Sequence, residues 1–157
     1  MTVVLRAMTD DEFGDWFTAT ADDYLAQRIR AGETADVARA KAEEHLAAAF
    51  PDGRPGPGHR LWIAEADGVT VGSVWVGPHP DRPGDPATAW LFAIEVDQAH
   101  RGRGLGRATL TALEAALAAD GVTELGLNVF AGNDTARRLY ATAGYHERAV
   151  SMSKKLT

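Results

Sequence analysis

The segment Arg101-Gly-Arg-Gly-Leu-Gly106 gathers more chemistry-bearing residues than any other stretch of this chain. Its three glycines let the main chain adopt conformations closed to other residues and let a ligand approach the backbone closely. A helix expected from Leu105 onward would aim its free N–H groups and positive dipole end at the same place. Arg101, Arg103 and Arg107 add charge-assisted donors suited to phosphate, with His100 beside them. Together these residues describe an anion site. A dinucleotide turn would read Gly-x-Gly-x-x-Gly, and a nucleoside-triphosphate loop would follow its last glycine with Lys and Ser or Thr. Here the glycines read Gly-x-Gly-x-Gly with arginines interleaved, and Arg107-Ala108 follows Gly106, so neither pattern fits. A glycine-rich turn with solvated arginines is the plain alternative.

Three further residues carry chemistry. Glu95 is the only charge between Trp90 and Val96. Strict alternation puts it on one face with Leu91 and Ala93, opposite Ile94 and Val96. A carboxylate in an apolar strand is costly unless wet or paired, so Glu95 reads either as a base facing a cleft or as half of an ion pair. Asn133 and Tyr140 stand seven positions apart on one expected helix, hence on nearly the same face and about 10.5 Å apart along it. Asn133 is equally a helix cap, and Tyr140 equally a core tyrosine. The five histidines, His45, His59, His79, His100 and His146, form no pair at ligand spacing, and no metal is expected. The chain has no cysteine, which removes disulfides, thiolate metal sites and a cysteine nucleophile.

These residues need elements to position them. Thr2–Met8 reads as a first strand. Thr9 opens a helix with capping-box spacing to Glu12, and Gly32 ends it. Thr34–Phe50 reads as a second helix, followed by a Pro/Gly loop. Arg60–Ala66 and Val69–Val76 read as strands joined by a tight turn at Asp67-Gly68. Thr88–Val96 reads as a central strand, Leu105–Ala119 as a helix, Leu125–Phe130 as a strand and Asp134–Ala143 as a helix capped by Asn133. Tyr145–Leu156 is expected to add one or two strands. The order is β-α-α-β-β-β-α-β-α-β, antiparallel at first and then parallel across the third helix.

The chain has 157 residues, 45% hydrophobic and 24% charged, which suits one globular domain spanning 1–157. A net charge of −6 disfavours a broad nucleic-acid footprint. No apolar run approaches the ~20 residues that span a bilayer, and Met1–Met8 lacks the pattern of a signal peptide. A cytoplasmic protein without membrane or nucleic-acid partners is expected.

Arg101-x-x-Gly104-x-Gly106 resembles the Arg/Gln-x-x-Gly-x-Gly/Ala motif of the GCN5-related N-acetyltransferases (the GNAT family). Ile94-Glu-Val-Asp97 looks like that family's fourth strand. Leu127-Asn-Val-Phe-Ala-Gly-Asn133 and Ala136-Arg-Arg-Leu-Tyr-Ala-Thr-Ala-Gly-Tyr145 resemble its fifth strand and last helix. The resemblance is dense from Trp90 to Tyr145 and rests on element order upstream. It implies an α/β (α+β) GNAT fold: a mixed, mostly antiparallel twisted sheet of six to seven strands, about four helices, and strands 4 and 5 splayed apart.

It implies acetyl-CoA as co-substrate, with no metal. The backbone of Arg101, Gly102, Arg103, Gly104, Leu105, Gly106 and Arg107 would hold the pyrophosphate. Ile94 and Val96 would pair with the pantetheine arm, and Asn133, Ala136, Arg138 and Tyr140 would add further CoA contacts. Tyr140 would protonate the departing thiolate, Glu95 would take the amine proton, and His100 would support the loop. On the acceptor side stand Asn128, Trp16 and Tyr24, with the acids Asp15, Asp22 and Asp23. The implied reaction is direct acetyl transfer to a primary amine, on a small molecule or on a peptide or protein. A non-catalytic acyl-CoA binding or sensing module on the same fold is the alternative. A homodimer is compatible with the sequence, which decides nothing about assembly.

Overall fold

The computed structural model of the protein describes residues 2–157. The elements are β1 (Val4–Ala7), α1 (Asp10–Arg30), α2 (Ala35–Ala49), β2 (Arg60–Ala66), β3 (Val69–Gly77), β4 (Thr88–Val96), α3 (Leu105–Ala119), β5 (Glu124–Leu127) and α4 (Asp134–Thr142). Single 3₁₀ turns at Pro51–Gly53 and Gln98–His100 lie in the connections.

One sheet runs in the order β1-β2-β3-β4-β5, antiparallel through β4 and parallel between β4 and β5. Asp67 and Gly68 turn the β2–β3 hairpin with positive φ at both positions, the conformation that matches the right-handed twist of the flanking strands. On one face α3 packs Leu110, Leu113 and Leu117 against Val74, Val76, Ala89 and Leu91. Burial of each such leucine contributes about 1.5–3 kcal/mol. The other face is aromatic: Phe50 and Trp75 are buried there among Phe13, Trp16 and Phe17 of α1.

Among the described residues the sheet has five strands, which corrects the expected six to seven. The difference lies at the end of the chain. Residues 146–157 form no strand, and Val150, Met152 and Leu156 face solvent. An apolar alternation makes a strand only where a surface exists for it to cover, and here nothing is covered. β5 also stops at Leu127, short of the expected Phe130.

Candidate functional site

Three helices complete their first turns with their own side chains. Thr9 accepts from the Glu12 N–H in a full capping box, Thr34 accepts from the Val37 N–H, and Asn133 Oδ1 accepts from the Ala136 N–H at 3.2 Å. Helix α3 does not. It starts at Gly104, which has no side chain and sits at φ 77°. Gly102 has the same φ of 77°, so the loop turns twice through left-handed backbone that a Cβ would strain. The first N–H groups of α3 are left for another acceptor. Arg103 and His100 approach each other at 3.2 Å beside them. Main-chain donors and the positive end of a helix dipole are thus offered together to an anion.

The neighbouring strand edge is open. β4 pairs with β5 only from Thr88 to Leu91, against Glu124 to Leu127. Beyond that point the two strands part, as expected, and Phe92–Val96 has β3 on one side alone. The Asp97 N–H bonds the Val71 carbonyl at 2.8 Å, and the Glu95 carbonyl crowds Gly72. Alternation therefore turns the peptide groups of Ile94 and Val96 away from β3, toward the gap. A Cβ added to Gly106 would lie 3.6 Å from Leu139 and 3.9 Å from Val96. The start of α3, the end of β4 and the face of α4 thus meet at one place.

Glu95 does not share a face with Leu91, contrary to strict alternation. Trp75 pairs with Ala93 and Val76 with Leu91, so Phe92 is an extra residue, a β-bulge. The bulge reverses the parity. Leu91 and Ile94 both pack toward α3, whereas Ala93 packs toward the aromatic face. The Phe92 ring stacks on Trp75 at 4.6 Å, and Glu95 follows on the α1 side. Desolvation pushes the Glu95 carboxyl above the ordinary carboxylate range; Asp23 on α1 and Asp97 push the same way, while Arg101 opposes them.

On α4, burial alone raises the Tyr140 hydroxyl, and its ring meets Tyr145 edge-on at 5.7 Å. Tyr145 donates to Glu114 of α3 at 2.8 Å. A tyrosine hydroxyl is protonated at neutral pH at its ordinary value, and burial moves Tyr140 further in that direction.

The other expected residues are distributed as follows. Arg101 folds back on β4, its Nε donating to the Val96 carbonyl at 2.9 Å and its Nη2 lying 3.5 Å from Glu95. The Arg107 guanidinium bonds Thr142, tying α3 to α4. Leu105 is buried, Ala136 is half-buried and Arg138 is exposed. Asn128 is exposed just beyond β5, where that strand has left β4. Trp16 donates to Ser73 Oγ at 3.2 Å, and Ser73 stands directly across the ladder from Glu95. The Tyr24 hydroxyl is engaged twice, by Arg28 at 2.8 Å and by His45 Nδ1 at 2.6 Å, and so braces α1 against α2.

Two features of the site were not legible beforehand. The run from Ala89 to Ile94 is entirely apolar, so no polar residue marks where the faces switch at Phe92. Glu114 lies 31 residues before Tyr145, and no local spacing links them. Asp97 was visible at the strand end, but its effect on Glu95 depends on the fold. Among the described residues no helix is long and apolar enough to cross a membrane.

Comparison with known proteins agrees with this geometry. Residues 12–145 match the model of the acetyltransferase (GNAT) family. The chain is 34% identical to the uncharacterized N-acetyltransferase YycN of Bacillus subtilis (strain 168) over 160 residues, covering 99% of this chain and 100% of that one. The crystal structure of YycN superposes with a TM-score of 0.89 at 32% identity, over 99% of both chains. An aminoglycoside N-acetyltransferase, AAC(6')-Iy, solved in complex with CoA, shares the fold at a TM-score of 0.58 and 21% identity, over 99% of this chain and 95% of that one.

Proposed function

The chain belongs to the GNAT acetyltransferase family, and from that premise we propose that it moves the acetyl group of acetyl-CoA directly onto a primary amine. One observation carries the reading: the uncapped start of α3 lies at the end of a strand edge that β5 has left unpaired. The first can take a pyrophosphate, and the second can take an extended amide-bearing arm as an added strand. Arg101 to Arg107 then hold the phosphates through main-chain N–H groups, Ile94 and Val96 hold the arm, and Asn133, Ala136, Arg138 and Tyr140 line its α4 side.

The transfer needs no covalent enzyme intermediate. Glu95, made more basic by burial and by Asp23 and Asp97, takes a proton from the acceptor ammonium. The freed nitrogen lone pair forms a bond to the thioester carbonyl carbon, and a main-chain N–H near Val96 stabilises the oxyanion. As the C–S bond breaks, its electron pair goes to sulfur, which takes the Tyr140 proton. The tetrahedral nitrogen sheds its second proton to solvent, and Tyr140 is reprotonated. Holding both substrates in line lowers the barrier further. The carboxylates near Glu95 favour a cationic amine, with Trp16 and Asn128 flanking it.

Melting of the protein with CoA, ATP and NAD in separate samples tests the cofactor. At 100 times its dissociation constant the true ligand adds about 2.7 kcal/mol. CoA alone should shift the midpoint; a larger shift with ATP or NAD refutes the reading. Amine-dependent thiol release then separates an enzyme from a binding module. Tyr140→Phe should cut turnover about 10²-fold while CoA affinity holds. The wild-type rate should fall as pH drops through a midpoint above the ordinary carboxylate range, because Glu95 works deprotonated and its pKa is raised. Glu95→Gln should remove that limb and slow the plateau; a limb unchanged in Glu95→Gln refutes its role as base.

A further inference from the structure

Arg101 sits in the anion loop, yet its side chain is engaged by the end of β4. It spans the two features that the proposed reaction needs free. Nε donates to the Val96 carbonyl at 2.9 Å, on the side of β4 that faces the gap, and Nη2 lies 3.5 Å from the Glu95 carboxylate. Both side chains are about half exposed, Arg101 at 58% and Glu95 at 50%, so a small displacement can separate them without unfolding anything. An arm pairing with β4 as an added strand requires the peptide groups of Val96, and one of them is the acceptor that Arg101 occupies.

We infer that the Arg101 side chain is a positioning residue for Glu95: it holds the carboxylate in the free enzyme and is displaced from the strand edge when the pantetheine arm of CoA takes its place. The inference rests on the proposed cofactor reading and extends it to the order of events. With Arg101 in place, Glu95 has a cation beside it and is a weaker base. With Arg101 displaced, the remaining charged neighbours are Asp23 from α1 and Asp97 at the strand end, both acidic. Ser73 across the ladder on β3 carries no charge. Seating CoA therefore makes Glu95 a stronger base, so deprotonation of the amine is favoured once an acyl donor is present.

The test follows the Glu95 carboxyl carbon by NMR in the full-length protein labelled at glutamate, with the resonance assigned by its loss in Glu95→Gln. Wild type and Arg101→Met are titrated with and without saturating CoA, after calorimetry has measured CoA binding to each. Without CoA, Arg101→Met should titrate higher than wild type by roughly 0.2–0.7 pH unit, the reach of an exposed ion pair. With CoA the two proteins should coincide, the phosphate charge acting equally on both. A gap that persists in the CoA complex overturns the inference, because Arg101 then stays on Glu95. No gap in the free proteins also overturns it. If CoA binds and either result follows, the cofactor reading survives; if CoA does not bind wild type, both fail together.

Discussion

The four α-helices among the described residues start in two different ways, and the contrast separates a closed helix start from an open one. At α1, Thr9 and Glu12 exchange hydrogen bonds, and Arg6 of β1 reaches the same Glu12 at 2.8 Å, so the helix start is closed and tied to the sheet. At α3, Gly104 brings no side chain, and the loop before it is cationic and exposed. A helix start must find acceptors somewhere. Where the chain supplies them, the element is self-sufficient. Where it withholds them, the open N–H groups are available to an anion.

Exchanging the two designs should break the contrast. Gly104→Asp places a carboxylate beside the open N–H groups, and aspartate is among the residues that tolerate left-handed backbone. CoA affinity should fall on the order of 100-fold, since the ligand's charge is repelled and its donors are taken. Calorimetry reads the loss, and circular dichroism checks that the fold is kept. Unchanged affinity would show that α3 does not hold the phosphates.

At the closed start, Thr9→Ala should lower stability by about 1 kcal/mol and leave CoA affinity unaltered, as urea unfolding and calorimetry would report. A loss of CoA binding there would mean the two starts are not independent.

The smallest effect is on the acid side. Arg6 and the Thr9 backbone hold the Glu12 carboxyl down to about 2, below its ordinary 4.5. A depressed carboxyl contributes stability above its unfolded value and loses it as pH falls through the folded one. Wild type should thus lose its advantage over Glu12→Gln between about pH 4.5 and 2, as paired melting curves at pH 6, 4 and 2 would show. Because Glu12 is exposed, the difference should be modest and should shrink with added salt. An advantage that persists at pH 2 would show that charge plays no part.

Much of this molecule is local, and local features could be read directly from residues. The strands Arg60–Ala66 and Thr88–Val96 and the helix Leu105–Ala119 have the same bounds in the structure as in the reading of the sequence. Asp67-Gly68, the Thr9 capping box, the Asn133 cap and the glycine loop need only a few neighbouring residues to express themselves. The tail misled that reading. Tyr145–Leu156, expected to add one or two strands, adds none, and Val150, Met152 and Leu156 lie in solvent. The identity of Glu95 as the lone charge of its strand was legible, but its face was not.

Local pattern was enough for the order of elements through α4, the glycine loop and the residue types able to move a proton, because each follows from backbone freedom, hydrogen-bonding capacity and periodicity over a few positions. Tertiary structure alone decided where those residues point. The bulge at Phe92 arises from register between β3 and β4, and it turns Glu95 toward α1. The gap beside Val96 exists because β5 leaves β4 after Leu127. The engagement of Tyr24 by His45, and of Tyr145 by Glu114, joins positions 21 and 31 residues apart. Such pairings are chosen by which surfaces can be buried together, a property of the whole chain that no local pattern contains.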